Sequence, residues 1–306
     1  MDIVNIRRVM ERIDFPEEAA EKLAALAGGV SGDGMEYAEW EEVKRGYLAG
    51  ELPVNDALGR IREISGRIGE PNEYAAHMLF FLDCADVLEL RYRERGIAEE
   101  IFWDTLGDMR CKLYECMEVK GCFGTFVAGW YDGFFKLERF ALGRLQFERT
   151  VAPKELDGYS EAGITIREGD TVINMHIPSS GPLTLEKRLD SYRRAYEFFR
   201  EERRGGRLAF ICNSWLLYPP YKAVFGDGSN ITDFMQDFTR IFQNDSERFS
   251  DAWRVFGADA EKKPEELPRN TRLRRALAEW MKSGGTAGHG LGIFVYPDSL
   301  ERRSKD

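Results

Sequence analysis

The sequence predicts an α+β protein, a bundle of helices followed by a mixed, mostly antiparallel sheet with flanking helices. Three observations predict it. From the start to about residue 120 the apolar residues recur at spacings of three and four, the period of a helix with one buried face. At Gly121 the character changes: residues 122–135, CFGTFVAGWYDGFF, are dense in aromatics and glycine, and runs that alternate with a period of two follow. Residues 171–221 then read as one unit of strand, Ser/Gly/Pro loop, amphipathic helix and second strand. With 306 residues the chain is long enough for two domains, expected at 1–121 and 122–306.

Composition narrows the functional classes. A net charge of −10 argues against a nucleic-acid surface, which needs clustered Lys and Arg. Five cysteines, with no Cys-x-x-Cys pair, fit reduced thiols better than a disulfide framework or a zinc site, so no metal is expected. The first residues, MDIVNIRRVMERIDF, lack the apolar core of a signal peptide, and no later run approaches a membrane span. The expectation is a soluble, cytoplasmic protein without nucleic-acid or membrane partners. Oligomeric state is left open.

Taken in order, Pro16 starts a helix that the Gly28-Gly29 pair stops, and a Gly/Ser/Asp loop leads to Gly34. Helices are expected over 35–48 and 54–68. Pro71 opens a longer one, with His77, Phe81, Cys84 and Leu88 on one stripe and Gly96 as its end. Another runs over 97–119. His77 has no partner at metal spacing and reads as a satisfied core histidine. Cys111, Cys116 and Cys122 do not share a helix face and read as packing residues.

In the second half, 142–150 is expected as a half-buried antiparallel strand, 164–167 as a short strand and 172–177 as the strand that Pro178 ends. Ser179, Ser180 and Gly181 form a loop, and Thr184 caps a helix whose buried stripe is Leu185, Leu189, Tyr192, Tyr196 and Phe199. Gly205 and Gly206 end it, and 208–214 is the next strand. A strand that meets a helix N-terminus through small residues gathers amides and the helix dipole at one point, an anion site. Beyond lie a short helix over 231–236 capped by Asn230, strands at 238–242 and 253–256, a helix over 271–281 and a last strand at 291–296.

The runs FFKLERFALGRLQFE, INMHIPSSGPL, CNSWLL, GSNITDF, WRVFG and LPRNTRLRRAL resemble a bacterial family of acyltransferases. Its members join a helical N-acyltransferase N-terminal domain to a GNAT-like C-terminal domain, and the order of elements is similar to that of the GNAT superfamily. The resemblance is strongest over 134–285. It implies direct acyl transfer from acetyl-CoA or another acyl-CoA to a small-molecule amine. By position it implies that Ser179, Ser180, Gly181 and Leu183 receive the pyrophosphate. The pantetheine arm would lie between splayed strands ending at Ile177 and at Cys212, Asn213 and Ser214. The usual Gln/Arg-x-x-Gly-x-Gly/Ala signature is absent, and Pro178 and Pro182 remove two amides.

His176, beside the end of its strand, has the titration range to take a proton from an ammonium acceptor, or it anchors the loop. Its side chain faces opposite to Met175. Glu148 is a second candidate base, and Tyr218 or Tyr221 could protonate a leaving thiolate. Cys212 sits in an apolar strand that makes a thiol inert. Two functions follow: an N-acyltransferase, or a non-catalytic ligand-binding or scaffold protein that kept the fold and lost the phosphate loop.

Overall fold

Local capping signals place most helices of the first half. Asp2 accepts from the Asn5 amide and starts α1 (Ile3–Arg12). It is followed by α2 (Glu17–Gly32), α3 (Gly34–Leu48) and α4 (Val54–Arg67). Asn72 accepts from the amides of Tyr74 and Ala75 and starts α5 (Glu73–Asp83). Then come α6 (Ala85–Glu94), α7 (Glu99–Leu106), α8 (Asp108–Lys120) and the single turn α9 (Asp132–Phe135). The computed structural model describes residues 1–32, 34–70 and 72–298. Pro71, expected to open a helix, lies outside the described residues, as does Asp33 of the expected loop.

Three expectations are corrected here. The Gly28-Gly29 pair does not stop α2, which continues to Gly32. The helix expected from 71 to 96 is broken at Cys84, and the one over 97–119 is broken at Gly107. Each break lets two shorter helices bury separate faces. Edge-to-face and tilted ring pairs fill the core, with Phe80 and Phe81 contacting Trp40, Tyr47, Tyr131 and Phe135. His77 Nε2 lies 3.1 Å from the Leu58 carbonyl, and burial lowers its pKa, so the neutral ring donates that bond.

By internal contacts the chain divides into two compact units, Met1–Phe140 and Ala141–Asp306. The sheet is built from β1 (Arg139–Leu142), β2 (Leu145–Val151), β5 (Thr171–His176), β6 (Leu208–Ser214), β7 (Arg240–Ser246) and β8 (Ala287–Tyr296), with a separate hairpin of β3 (Ser160–Glu161) and β4 (Ile164–Thr165). Between the strands lie α10 (Leu185–Phe198), α11 (Lys222–Phe225), α12 (Asn230–Met235), α13 (Trp253–Phe256) and α14 (Arg272–Lys282). Strand order is β1-β2-β5-β6-β8-β7; only β5 with β6 is parallel among the paired strands whose register is described.

Alternation sorts the side chains onto two faces. Phe147, Ile173, Met175, Phe210 and Phe294 turn to the side where Tyr192 of α10 packs. Val172, Ala209, Ile211, Leu291, Ile293 and Val295 turn to the other, covered by Leu156, Ile164 and Ile166.

The expected strand over 142–150 is a hairpin, because Gly143 at φ +78° turns the chain between β1 and β2. Residues 253–256 form the helix α13 and not a strand, and the last strand begins at Ala287, earlier than expected. Ser229, not Asn230, caps α12, its hydroxyl accepting from the Thr232 amide. On α10 the buried side chains are Arg188, Ser191, Tyr192 and Ala195, while Leu185 and Leu189 are exposed.

Gly288, Gly290 and Gly292 alternate along β8, and on their face the chain folds back closely. A Cβ at Gly288 would strike the Tyr218 ring, at Gly290 the Leu217 carbonyl, and at Gly292 the Phe238 ring. Gly290→Ala should therefore lower the unfolding free energy by about 1–3 kcal/mol, the range for overpacking a closed site, in urea titrations. Gly205→Ala would be a control for left-handed strain without a clash, since nothing approaches it.

Candidate active site

β5 and β6 run parallel through the pairs Ile173 with Phe210 and Asn174 with Ile211. Beyond them β5 continues to His176 and β6 to Ser214, and among the described residues no further pair joins the two strands. Their outer edges stay occupied: β5 pairs with β2 as far as His176 and β6 with β8 as far as Ser214. The strands therefore diverge over a gap whose two sides are Met175–His176 and Cys212–Ser214. Ile177 follows directly on β5, and Cys212, Asn213 and Ser214 are the last three residues of β6.

At this opening the antiparallel register sets Glu148 opposite Asn174 and Gln146 opposite His176, so all four share one face. Glu148 Oε1 accepts from His176 Nε2 at 2.7 Å and from Asn174 Nδ2 at 3.2 Å. The imidazole and the carboxylate are 23% and 18% exposed, open enough to be reached by a ligand and sheltered enough to keep their geometry. A carboxylate accepting from Nε2–H fixes the tautomer, making Nδ1 the basic nitrogen of the neutral ring. Met175 points into the opposite core, which settles which of the two neighbours faces the opening. Asn213, exposed, lies across the gap on the same face, since Ile211 shares the face of Asn174.

The loop after β5 is held by two arginines the sequence did not single out. Arg144, at the β1–β2 turn, donates from Nη2 to the Gly181 carbonyl at 2.7 Å and from Nε to the Pro182 carbonyl at 3.3 Å. Arg188 donates from Nη1 to the Leu183 carbonyl at 2.8 Å. The loop's carbonyls are thus drawn toward guanidinium groups. Thr184 takes the N-cap position with extended backbone, and its side chain makes no hydrogen bond to the first-turn amides of α10. Ser179, Ser180 and Gly181 are on the surface beside that helix start, with Leu183 buried beneath. Amides, dipole and the Arg144 charge together favour an anion here.

Arg188 itself is fully buried. Its Nε meets Asp237 Oδ2 at 2.5 Å and its Nη2 meets Asp233 Oδ2 at 2.7 Å, while the Tyr192 hydroxyl donates to Asp237 at 2.9 Å. Burial disfavours the guanidinium charge, but the two carboxylates more than offset it and raise its pKa.

The two tyrosines fall elsewhere, and two residues at the gap have other settings. Tyr218 is buried, with its hydroxyl 2.6 Å from Asp245 Oδ1 and 2.8 Å from Thr286 Oγ1, on the β8–β7 side of the sheet. Burial and the Asp245 carboxylate raise its pKa. Tyr221 packs in a ring cluster with Trp215, Phe225 and Phe249. Cys212 is 1% exposed, and burial pushes its thiol well up. Ser214 accepts from the Leu216 amide and shapes the turn after β6. Among the described residues no group of three His, Cys, Asp or Glu is placed to hold a metal, and no helix is long and apolar enough to cross a membrane.

Residues 140–294 match the GNAT-like C-terminal domain family, over half of the chain, and residues 4–137 match the N-acyltransferase N-terminal domain. The chain belongs to this GNAT-like family. No curated protein matches it. A crystal structure of an acyltransferase in complex with decanoyl-CoA and teicoplanin is 23% identical, with a TM-score of 0.73 over 95% of this chain and 87% of that one. A mutant acyltransferase in complex with octanoyl-CoA is 23% identical, with a TM-score of 0.72 over 94% and 86%. An acyltransferase in complex with CoA and 10C-teicoplanin is 22% identical, with a TM-score of 0.72 over 95% and 87%. At that identity the likeness is one of fold.

Arg188→Met should lower the unfolding free energy by about 3–5 kcal/mol in urea, because it strands the Asp237 carboxylate in the core. Leu189→Ala, on the exposed side of the same helix, should shift it by less than about 0.5 kcal/mol.

Proposed function

We propose that this protein transfers an acyl group from a coenzyme A thioester to the amine of a small molecule. The observation that carries the reading is the His176–Glu148 pair standing at the mouth of the gap between β5 and β6. The strand edges facing the gap have lost each other as partners, so an extended amide-bearing arm can bond to them as an added strand would. Asn213 reaches the same arm from the β6 side. The pyrophosphate would rest on the loop at Ser179, Ser180 and Gly181, ahead of α10, with Arg144 adding charge.

In this reading the thioester carbonyl lies beside His176. The neutral imidazole takes a proton from the attacking amine, and the Glu148 carboxylate stabilises the imidazolium that forms. The tetrahedral intermediate collapses with loss of the thiolate, to which the imidazolium returns the proton. Tyr218, whose hydroxyl proton is directed at Asp245, then holds the turn after β6 in place. The proposed donors are acyl-CoAs with medium-length chains, by likeness to the acyltransferases bound to octanoyl-CoA and decanoyl-CoA, with acetyl-CoA as the short comparison. Pro178 and Pro182 support the second reading, a binding protein without turnover, since neither offers an amide to phosphate.

The deciding measurement pairs thermal shift with release of free thiol across acetyl-, octanoyl- and decanoyl-CoA and a panel of amines. Octanoyl-CoA should raise Tm and give turnover. His176→Ala should cut kcat by about 10²–10⁴-fold, the usual share of a general base, while the Tm shift persists. A Tm shift with no thiol release on any amine would favour the binding protein, and neither signal would remove both readings.

A further inference from the structure

The C-terminal end of α8 brings two cysteines together. Lys120 is the last residue of that helix, and Gly121 follows at φ 68°, its amide donating to the Met117 carbonyl at 3.1 Å. Such a left-handed cap folds the chain back, so that the residue after the glycine meets the helix a turn before its end. Here the two are Cys122 and Cys116. The Cys116 thiol lies within interaction range of Cys122, and the Cys122 thiol donates to Asn72 Oδ1 at 3.6 Å. Their access differs. Cys116 is fully buried, whereas Cys122 is half-buried and lines a cavity of about 650 Å³ together with Lys22, Leu26, Asn72, Met117 and Phe123.

We propose that Cys116 and Cys122 form a reversible disulfide, in which Cys122 meets the oxidant, a low-molecular-weight disulfide that reaches it through this cavity. In the first exchange the Cys122 thiolate attacks one sulfur of the oxidant, its thiol proton passing to the departing small thiolate, and a mixed disulfide remains on Cys122. In the second, Cys116 loses its proton and attacks the Cys122 sulfur, releasing the other small thiol. Overall two protein thiols are oxidised and one small disulfide is reduced to two thiols.

Burial, reinforced by Cys122, pushes the Cys116 thiol up to about 12. Capping Cys122 removes the part that its thiol contributes, and burial still slows the second exchange relative to the first. Of the other thiols, Cys84 and Cys212 are closed in and raised by burial, and Cys111, 8% exposed, is pushed up to about 11 by burial and by Asp108. Forming the bond draws Cys122 from Asn72, which caps α5 and donates from Nδ2 to the Phe123 carbonyl at 2.8 Å. The oxidation state of the pair is thereby tied to the cavity wall and to the start of a core helix.

The test treats the reduced full-length protein with oxidised glutathione, quenches with an alkylating agent and follows intact mass and tryptic peptides. Lys120 lies between the two cysteines, so after cleavage only a disulfide keeps their peptides joined. The expected course is a transient glutathione adduct on Cys122. A chain two hydrogens lighter than the reduced form replaces it, with these peptides linked, and dithiothreitol reverses the change. Cys116→Ser should stop at a stable Cys122 adduct, and Cys122→Ser should give neither species. A wild-type adduct that persists on Cys122, a link to any other cysteine, or no reaction of the native chain would overturn the proposal. The wild-type peptide map decides this even if a variant fails to fold.

Discussion

The parallel pairing of β5 with β6 lasts for two residue pairs, and the chemistry available to the second unit depends on where it stops. Backbone groups taken out of a ladder must find other partners, at roughly 0.5–1.5 kcal/mol net for each bond. The fold limits that cost by committing the outer edge of each strand, β5 to β2 and β6 to β8, over its full useful length. What draws β6 away is visible on β8. The sequence Gly288-His289-Gly290-Leu291-Gly292 puts glycine on one face at every second position, and the chain leaving β6 lies down on that bare face with Leu217 and Tyr218. Pro178, having no N–H, ends β5 at the same level. The gap is thus produced from both sides, by a glycine track that pulls one strand and a proline that halts the other.

The buried Arg188 serves the same corner. A guanidinium with no exposure to water is a poor way to gain stability, since desolvation consumes most of its attraction to Asp233 and Asp237. Its geometry gives it another use. One planar fork ties the Leu183 carbonyl, at the end of the loop, to the carboxylates of α12 and of the turn that follows it. A leucine or methionine there could fill the space but could not fix where the loop enters α10, and the amides ahead of that helix are useful only if their position is fixed.

How much of this was legible follows from how local each signal is. The strand, loop, helix and strand over 171–214 were readable because proline, a Thr cap and a glycine pair punctuate them within the segment itself. Residues 253–256, four apolar-rich positions, carry no period that separates strand from helix, and packing with α14 and its neighbours decided for helix. The stripe on α10 was misjudged for a sharper reason: Arg188 is buried by carboxylates 45 and 49 residues downstream, so leucines that a local rule would bury are left outside. His176 and Glu148 could each be named from strand position. Their pairing, and the place of Asn174 between them, required a register that one sequence does not display. Arg144 was hidden because the Gly143 turn inside 142–150 was read as continuous strand.

That register is set from the apolar side of the sheet. Phe147, Ile173 and Met175 are buried against Phe210, Phe294 and Tyr192, and alternation then obliges Glu148, Asn174 and His176 to face the other way. Sliding β5 by one residue against β2 would put a histidine and an asparagine into that aromatic layer and expose Met175, a change the core would resist with several buried side chains at once. The 2.7 Å contact between His176 and Glu148 is therefore held less by its own attraction, modest at a partly exposed site, than by the apolar packing behind it. In this sheet the apolar face determines the geometry that the polar face then uses.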